Sequence, residues 1–241
     1  MKISVVVPAF NEERLLAFSL ETILASCHVF RDRGWSSELI VCDNNSTDRT
    51  DEIARAAGAR VVFEPVNQIS RARNAGAAAA TGDWLVFVDA DSYPGAELFA
   101  DAADAIQEGR CLAGGSTVAF ARSELATALV LALWNRISRI ARWAAGSFIF
   151  CEAAAFREVG GFSEELYASE EIDLFGRLKR LARRQARSIE ILHRHPIVTS
   201  DRRARLYTWG EMTLFLLKTA AGRGRTLRSR AACYAWYDGR R

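Results

Sequence analysis

The chain has 241 residues, half of them hydrophobic, and a net charge of +3. This length and composition allow a sizeable core, which excludes a disordered chain and predicts one domain or two fused halves. No apolar run reaches the roughly 20 residues that a transmembrane helix needs, so a membrane-spanning class is excluded too. The five cysteines form no Cys-x-x-Cys pair, and the N-terminus starts as a strand without a signal pattern. Reduced thiols and a cytoplasmic location are therefore expected.

Charge is distributed unevenly along the chain. Residues 1–200 carry 22 basic and 26 acidic side chains, whereas residues 201–241 carry ten basic and three acidic ones. A basic C-terminal tail suits an anionic surface such as a membrane leaflet or a diphosphate ligand. Because no nucleic-acid module accompanies the tail, nucleic acid is not expected as a partner.

Strand and helix patterns alternate in the first half. The predicted strands are 3–7, 38–42, 60–64 and 84–88, and the predicted helices are 12–25, 46–57, with Ser46 as its cap, and 70–80. This alternation predicts an α/β protein, in which a Rossmann-like, mostly parallel sheet is flanked by helices on both faces.

The second half is less regular. The predicted helices are 96–107, 123–143, 153–159, 170–182 and 206–221, and the predicted strands are 111–120, 147–151, 189–192 and 197–199. The last of these helices lies in the basic C-terminal tail.

The buried strand at 84–88 ends in two carboxylates, Asp89 and Asp91, separated by Ala90. A buried carboxylate needs a partner cation, and the carboxyl edge of a parallel sheet is where α/β proteins bind ligands. We therefore predict a metal and nucleotide site here. The alternative is that both residues only cap the turn into Ser92-Tyr93-Pro94.

Polar loops follow the first two strands as well. These are Pro8-Ala9-Phe10-Asn11-Glu12 and the stretch from Asp43 to Thr50. Since neighbouring strand ends share one edge of the sheet, both loops are expected to converge on the Asp89–Asp91 turn. Asp43 directly follows an apolar run and is expected to be available to a nucleobase or ribose.

Five segments carry further information through their order and spacing, and they are Val7–Glu12, Asp43–Thr50, Arg71–Gly76, Gly82-Asp83 and Asp89–Asp91. The same order and spacing are found in family 2 glycosyltransferases, which the chain resembles from residue 3 to about residue 203. The resemblance implies a GT-A type fold, a UDP- or GDP-sugar donor and a divalent cation, Mg²⁺ or Mn²⁺. The chain departs from the commonest family pattern at Asn44-Asn45, where Asp-Gly is usual.

The resemblance also implies roles for individual residues. Asp43 would contact the nucleobase, Asp91 would bind the metal, and Asp89 would assist at the metal or the ribose. Arg71 and Arg73 suit phosphate or sugar hydroxyls, although either could be a solvated surface arginine. The remaining residues expected in the nucleotide-sugar pocket are Pro8, Ala9, Phe10, Asn11, Glu12, Asn45 and Ala90.

A cluster of acidic residues, Glu170, Glu171 and Asp173, opens the helix predicted at 170–182. The cluster could simply complement the helix dipole. It also resembles the family's acceptor-side motif, in which one carboxylate is the general base. Glu171 stands where the family usually has that Asp, so Glu171 is predicted to be the base, with Glu170 and Asp173 orienting or linked to the metal. The family resemblance implies inversion.

The segment Thr199-Ser200-Asp201-Arg202-Arg203 resembles a Thr-Ser-x-Arg-Arg stretch of small bacterial family members. Arg202 and Arg203 are expected to bind pyrophosphate or an anionic acceptor, unless they only begin the basic tail. One of His193 and His195 could complete a metal shell, but a structural or solvent-facing role is the stronger expectation for both.

These inferences combine into one predicted enzyme. Residues 1–205 would form a GT-A domain, with nucleotide-binding (1–92) and acceptor-binding (93–205) halves, and 206–241 a basic helical extension. The predicted activity is metal-dependent sugar transfer to a hydroxyl of a polysaccharide, glycolipid or small molecule. The helical segments at 125–143 and 206–236 suit a peripheral membrane contact and a lipid-linked acceptor, or else are core helices.

Two alternatives stay open at this point. One is a non-catalytic nucleotide-sugar binding module that has lost the base. The other is a sugar nucleotidyltransferase, which is disfavoured because the N-terminal region has no Gly-rich loop followed by a lysine, Lys2 being the only lysine before Lys179.

Overall fold

A computed structural model describes residues 1–121, 125–202, 211, 218–219 and 224–237. The strands are β1 (Lys2–Ala9), β2 (Ser36–Asp43), β3 (Arg60–Phe63), β4 (Trp84–Val88), β5 (Ser92–Tyr93), β6 (Cys111–Phe120), β7 (Phe148–Glu152) and β8 (Ser188–Thr199). The helices are α1 (Leu16–Ser26), α2 (His28–Asp32), α3 (Thr50–Ala56), α4 (Ile69–Ala79), α5 (Ala96–Gln107), α6 (Leu125–Ala141), α7 (Ala153–Glu158), α8 (Glu170–Arg184) and α9 (Tyr234–Tyr237), and Arg225–Arg228 form a 3₁₀ turn.

The eight strands form one mixed sheet in the order β3-β2-β1-β4-β7-β6-β8-β5. The pairs β3–β2, β2–β1, β1–β4 and β6–β8 are parallel, and the pairs involving β7 or β5 are antiparallel. The predicted α/β class with a mostly parallel sheet is confirmed. Because β1, β2 and β4 are parallel neighbours, the loops that follow them emerge at one edge of the sheet.

Helices cover both faces of this sheet, because side chains of a strand alternate between its two faces. Val5 and Val7 of β1 face the core that contains Leu16, Leu20 and Phe99 from α1 and α5. Val6 faces a second core, to which α7 and α8 contribute Phe156, Leu174, Phe175 and Leu178. The two apolar layers fix the sheet between helices and hold its carboxyl edge in place.

Two predicted helices begin later than expected, because tertiary hydrogen bonds hold their first residues in a loop. The helix predicted from Glu12 begins at Leu16, since the Glu12 N–H donates to Thr50 Oγ1 at 2.8 Å. The helix predicted from Ser46 begins at Thr50. Ser46 is therefore not its cap, and its Oγ instead accepts the Asn11 N–H at 2.9 Å.

The predicted strands 189–192 and 197–199 are parts of one long strand, β8. The sequence patterns also missed the short elements α2 and β5. Arg203 and most of the helix predicted at 206–221 lie outside the described residues, and α6 is described from Leu125.

The cysteine thiols are free, and four are buried while Cys27 is half-buried. Burial raises the pKa of Cys42 to about 12 and that of Cys27 to about 11, so these thiols stay protonated. Within the described ranges, the helices are too short or too polar to cross a bilayer.

Candidate active site

An open cleft lies at the carboxyl edge of β1, β2 and β4, where the three predicted loops meet. Eight of the residues predicted from the sequence line it together: Pro8, Ala9, Phe10, Glu12, Asp89, Ala90, Asp91 and Arg202. Asn44, Asn67, Ile69, Ala72 and Tyr237 complete the lining. The structure thus brings the Asp89–Asp91 turn, the loop after β1 and the segment after β8 into one site.

Asp91 is held at the mouth of this cleft by the segment after β8. The β5–β8 pairing brings Ser200 beside it, and Ser200 Oγ donates to Asp91 Oδ2 at 2.6 Å. Arg202 makes a two-pronged ion pair with the buried Glu12, at 2.9 and 2.6 Å, and one of its nitrogens lies 3.5 Å from Asp91 Oδ2. The Thr-Ser-x-Arg segment therefore supports the carboxylate predicted to bind metal.

Arg73 connects the two acidic motifs through a buried ion network. Its side chain is 1% exposed, and Nη1 donates to Glu170 Oε1 at 2.6 Å while Nη2 donates to Asp89 Oδ1 at 2.8 Å. Nη2 also donates to the Gly146 carbonyl at 3.1 Å. Burial disfavours the guanidinium charge, but Asp89 and Glu170 outweigh burial and raise the pKa of Arg73.

The predicted general base, Glu171, follows directly on this network. Loss of hydration and then the neighbouring Glu170 charge raise the pKa of Glu171 to about 8, although Arg73 opposes the shift. A carboxylate with such a pKa is well matched to accepting a hydroxyl proton. Asp173 is exposed and pairs with Arg177 at 2.6 Å, one turn further along α8.

The loop after β2 has a left-handed residue at Asn45, where the commonest family pattern has glycine. Asn45 has a φ of 65°, in the left-handed region that asparagine tolerates better than most residues, so it takes the conformation a glycine would adopt. Asp43 is 6% exposed, and its Oδ1 accepts the Ser46 N–H at 3.0 Å. Asn11 also has a positive φ, and its Oδ1 accepts the Thr47 N–H at 2.8 Å. Asn11, Asp43 and Asn45 thus shape the loop from which Asn44 lines the cleft.

Some predicted ligands lie elsewhere. Arg71 pairs with Glu164 at 2.8 Å on the surface. The His195 ring contacts Asp101 at 3.0 Å, and His193 lines a different depression beside α6. Neither histidine lines the cleft, and both are exposed.

The cleft residues fit a divalent cation of the phosphate-binding kind. In the part of the chain that the structure describes, no group of three or more His, Cys, Asp or Glu side chains could hold a metal by itself. Mg²⁺ and Mn²⁺ that bind nucleotides commonly use one or two carboxylates and complete their shell with phosphate oxygens and water. Asp91, with Asp89 beside it, is a donor set of this kind.

The residues at the site that the sequence predictions missed include Asn44, Gln68 and Tyr237. Asn44 is buried and joins two loops, because its Nδ2 donates to the Val66 carbonyl and its Oδ1 accepts the Gln68 N–H. Gln68 Nε2 in turn donates to the Leu166 carbonyl at 2.9 Å. Tyr237 reaches the cleft from the C-terminal segment. Asn44 was readable from its place in the strand-end motif, whereas Tyr237 had no local signal.

The chain is similar to known proteins over much of its length. The family model described as glycosyl transferase family 2 matches residues 4–159, more than half of the chain. The glucosyl-3-phosphoglycerate synthase of Mycobacterium tuberculosis is 41% identical over 97 residues, or 37% of this chain. The matches to the curated relatives cover between 14% and 36% of each relative's own length.

Solved structures share the fold over most of the chain. The crystal structure of glucosyl-3-phosphoglycerate synthase from Mycobacterium tuberculosis with Mn²⁺, UDP and glucosyl-3-phosphoglycerate is 26% identical, covering 92% of this chain and 79% of that one with a TM-score of 0.61. A Pyrobaculum calidifontis mannosyltransferase in complex with GDP-Man and Mn²⁺ is 18% identical, covering 94% and 62% with a TM-score of 0.65. The GT-A type architecture is thereby confirmed.

Proposed function

The chain belongs to glycosyl transferase family 2, and on that premise we propose that it moves a sugar from a UDP- or GDP-sugar to an acceptor hydroxyl with the help of a divalent cation. One observation carries the proposal. The cleft that contains Asp91 and the Glu12–Arg202 pair is tied through Arg73 to the acidic start of α8. The carboxylate proposed to bind metal and the carboxylate proposed as the base thus belong to one connected site.

Asp91, with Asp89, is the proposed metal-binding pair. The 26% identical synthase carries Mn²⁺ and UDP in its crystal structure, which supports the same ligands for this cleft. When bound, the cation neutralises charge on the diphosphate leaving group. Arg202, held by Glu12, adds a guanidinium on the same side of the cleft, and guanidinium groups suit phosphate oxygens.

Glu171 is the proposed general base. The acceptor oxygen would form a bond to the anomeric carbon of the sugar as the bond from that carbon to the diphosphate oxygen breaks. The hydroxyl proton would go to the Glu171 carboxylate, and the nucleoside diphosphate would leave with the electron pair. A single displacement of this kind inverts the anomeric configuration, which agrees with the inference from the family resemblance.

We also propose a lipid-linked acceptor reached from an anionic membrane surface. On α6, the large apolar side chains Leu129, Leu133 and Ile140 are 73%, 59% and 74% exposed. Arg136 and Arg139 are exposed beside them, and the helix contains no acidic residue. An apolar stripe bordered by arginines matches the interface of an anionic leaflet.

The metal site is tested by binding of UDP and GDP, with and without Mn²⁺, to the wild type and to Asp91→Asn. We expect the wild type to bind one nucleotide much more tightly with Mn²⁺, and the variant to lose that dependence. Asp104→Asn is the matched control, because Asp104 is an exposed carboxylate on α5, paired with Arg33. Retention of Mn²⁺-dependent binding by Asp91→Asn would refute the assignment.

A further inference from the structure

The C-terminal segment at 224–237 packs against the loop that leads into α8. The Tyr167 N–H donates to the Leu227 carbonyl at 2.7 Å, and Cys233 is fully buried against Ala168 in a small apolar cluster. The rings of Tyr167 and Tyr237 meet edge to face, with centroids 5.5 Å apart. A backbone hydrogen bond, a buried thiol and an aromatic pair therefore hold this segment beside the proposed catalytic helix.

This packing places the Tyr237 side chain in the wall of the donor cleft. Tyr237 lines the cleft with Ile69, Ala72, Asp89 and Asp91. Its hydroxyl accepts the N–H of Ile69, the first residue of α4, at 3.4 Å. A phenol that accepts one hydrogen bond still has its own proton to donate, and accepting a bond strengthens it as a donor.

We propose that Tyr237 is a donor-binding residue, whose hydroxyl donates to a diphosphate oxygen of the bound nucleotide sugar, so that the C-terminal segment forms part of the active site. This proposal rests on the proposed nucleotide-sugar function. Burial raises the pKa of Tyr237, so the phenol keeps the proton it donates. The guanidinium of the exposed Arg230 lies 5.7 Å from the Tyr237 ring centroid.

The contact is specific to one of the two tyrosines of α9. Tyr234, in the same helix, directs its hydroxyl to the Glu211 carbonyl at 3.2 Å and is not part of the cleft lining. Tyr234→Phe therefore removes a hydroxyl from the same segment without touching the proposed donor site. Tyr237→Phe removes the hydroxyl proposed to bind the diphosphate but keeps the ring that packs on Tyr167.

The test is titration calorimetry of the full chain with UDP and with GDP, each with Mn²⁺, on the wild type, Tyr237→Phe and Tyr234→Phe. One hydrogen bond to a charged oxygen predicts about ten-fold weaker binding by Tyr237→Phe and no change for Tyr234→Phe. Thermal unfolding midpoints of the two variants should lie within about 6 °C of the wild type, because each variant loses only one hydrogen bond while the ring packing is retained.

Failure of the proposed Tyr237 role and failure of the proposed nucleotide-sugar function give different results. If the wild type binds a nucleotide and Tyr237→Phe binds it equally well, the role of Tyr237 is refuted while the donor site stands. Should Tyr237→Phe lose binding only together with a large fall in its unfolding midpoint, the residue is structural and the proposal is again overturned. No Mn²⁺-dependent binding by the wild type would overturn both proposals.

Discussion

Replacing Arg73 by Met is predicted to destabilise the protein far more than the same change at Arg71. Both arginines lie on α4 and both are ion-paired, but Arg73 is 1% exposed whereas the Arg71 side chain is 36% exposed. Arg73→Met keeps an unbranched apolar side chain but removes the guanidinium, which leaves Asp89 and Glu170 without their shared cation. Removing one member of a buried ion network costs about 3 to 5 kcal/mol, whereas a surface pair contributes about 0 to 1 kcal/mol.

For a chain of this size, 1 kcal/mol corresponds to about 2 to 4 °C in the unfolding midpoint. Arg73→Met should therefore lower the midpoint by about 6 to 20 °C, and Arg71→Met by at most about 4 °C. Arg73→Lys should fall between them, because an ammonium keeps the charge but cannot span both carboxylates as a guanidinium does. Differential scanning fluorimetry at pH 7.5 measures all three. Equal losses for the two Met variants would refute the buried network as a stabilising link.

The remaining predictions concern the proposed base and the exposed helix. Because the pKa of Glu171 is raised to about 8, the folded protein binds more protons than the unfolded chain between the ordinary Glu pKa and that value. Stability of the wild type is therefore lost as pH rises through this window. Glu171→Gln should raise the unfolding midpoint at pH 9 but not at pH 4. Equal midpoints of the wild type and the variant at pH 9 would contradict the raised pKa. In the wild type, kcat/KM should fall about ten-fold per pH unit below pH 8, and a flat profile from pH 6 to 9 would argue against Glu171 as the base. The double variant Leu133→Glu and Ile140→Glu should bind anionic vesicles about ten-fold less in sedimentation assays. The control Leu24→Glu changes an exposed position of α1 and should bind as the wild type does. Retained binding by the double variant would show that α6 does not contact the membrane.

Much of the cleft was predictable because strand ends are visible in the sequence. The apolar runs before Asn11, Asp43 and Asp89 each stop at polar residues, and parallel pairing of β1, β2 and β4 brings those residues to one edge. The same logic predicted the sheet class. It could not predict where α1 and α3 begin, because hydrogen bonds between the two loops, such as that from Glu12 N–H to Thr50, compete with the first turns of both helices.

The different positions of Arg71 and Arg73 show a second feature that sequence patterns could not predict. Residues two apart on a helix point about 200° away from each other, so only one of the two can face the core. Sequence periodicity does not say which one finds carboxylates there, and the structure selects Arg73. Tyr237 shows a third limit, since its partner Ile69 lies 168 residues away in the chain. Contacts of that separation depend on the assembled fold rather than on any local pattern.

Release of nucleoside diphosphate from a panel of UDP- and GDP-sugars, with Mn²⁺ present and wild type compared with Glu171→Gln, measures sugar transfer and the role of Glu171 together. We expect the wild type to turn over one donor, and Glu171→Gln to bind the same nucleotide but release it about 100-fold more slowly or worse, as expected for loss of a general base. Equal turnover by Glu171→Gln would contradict the assignment of the base. Binding without turnover by the wild type under any donor and acceptor condition would favour the non-catalytic nucleotide-sugar binding module instead.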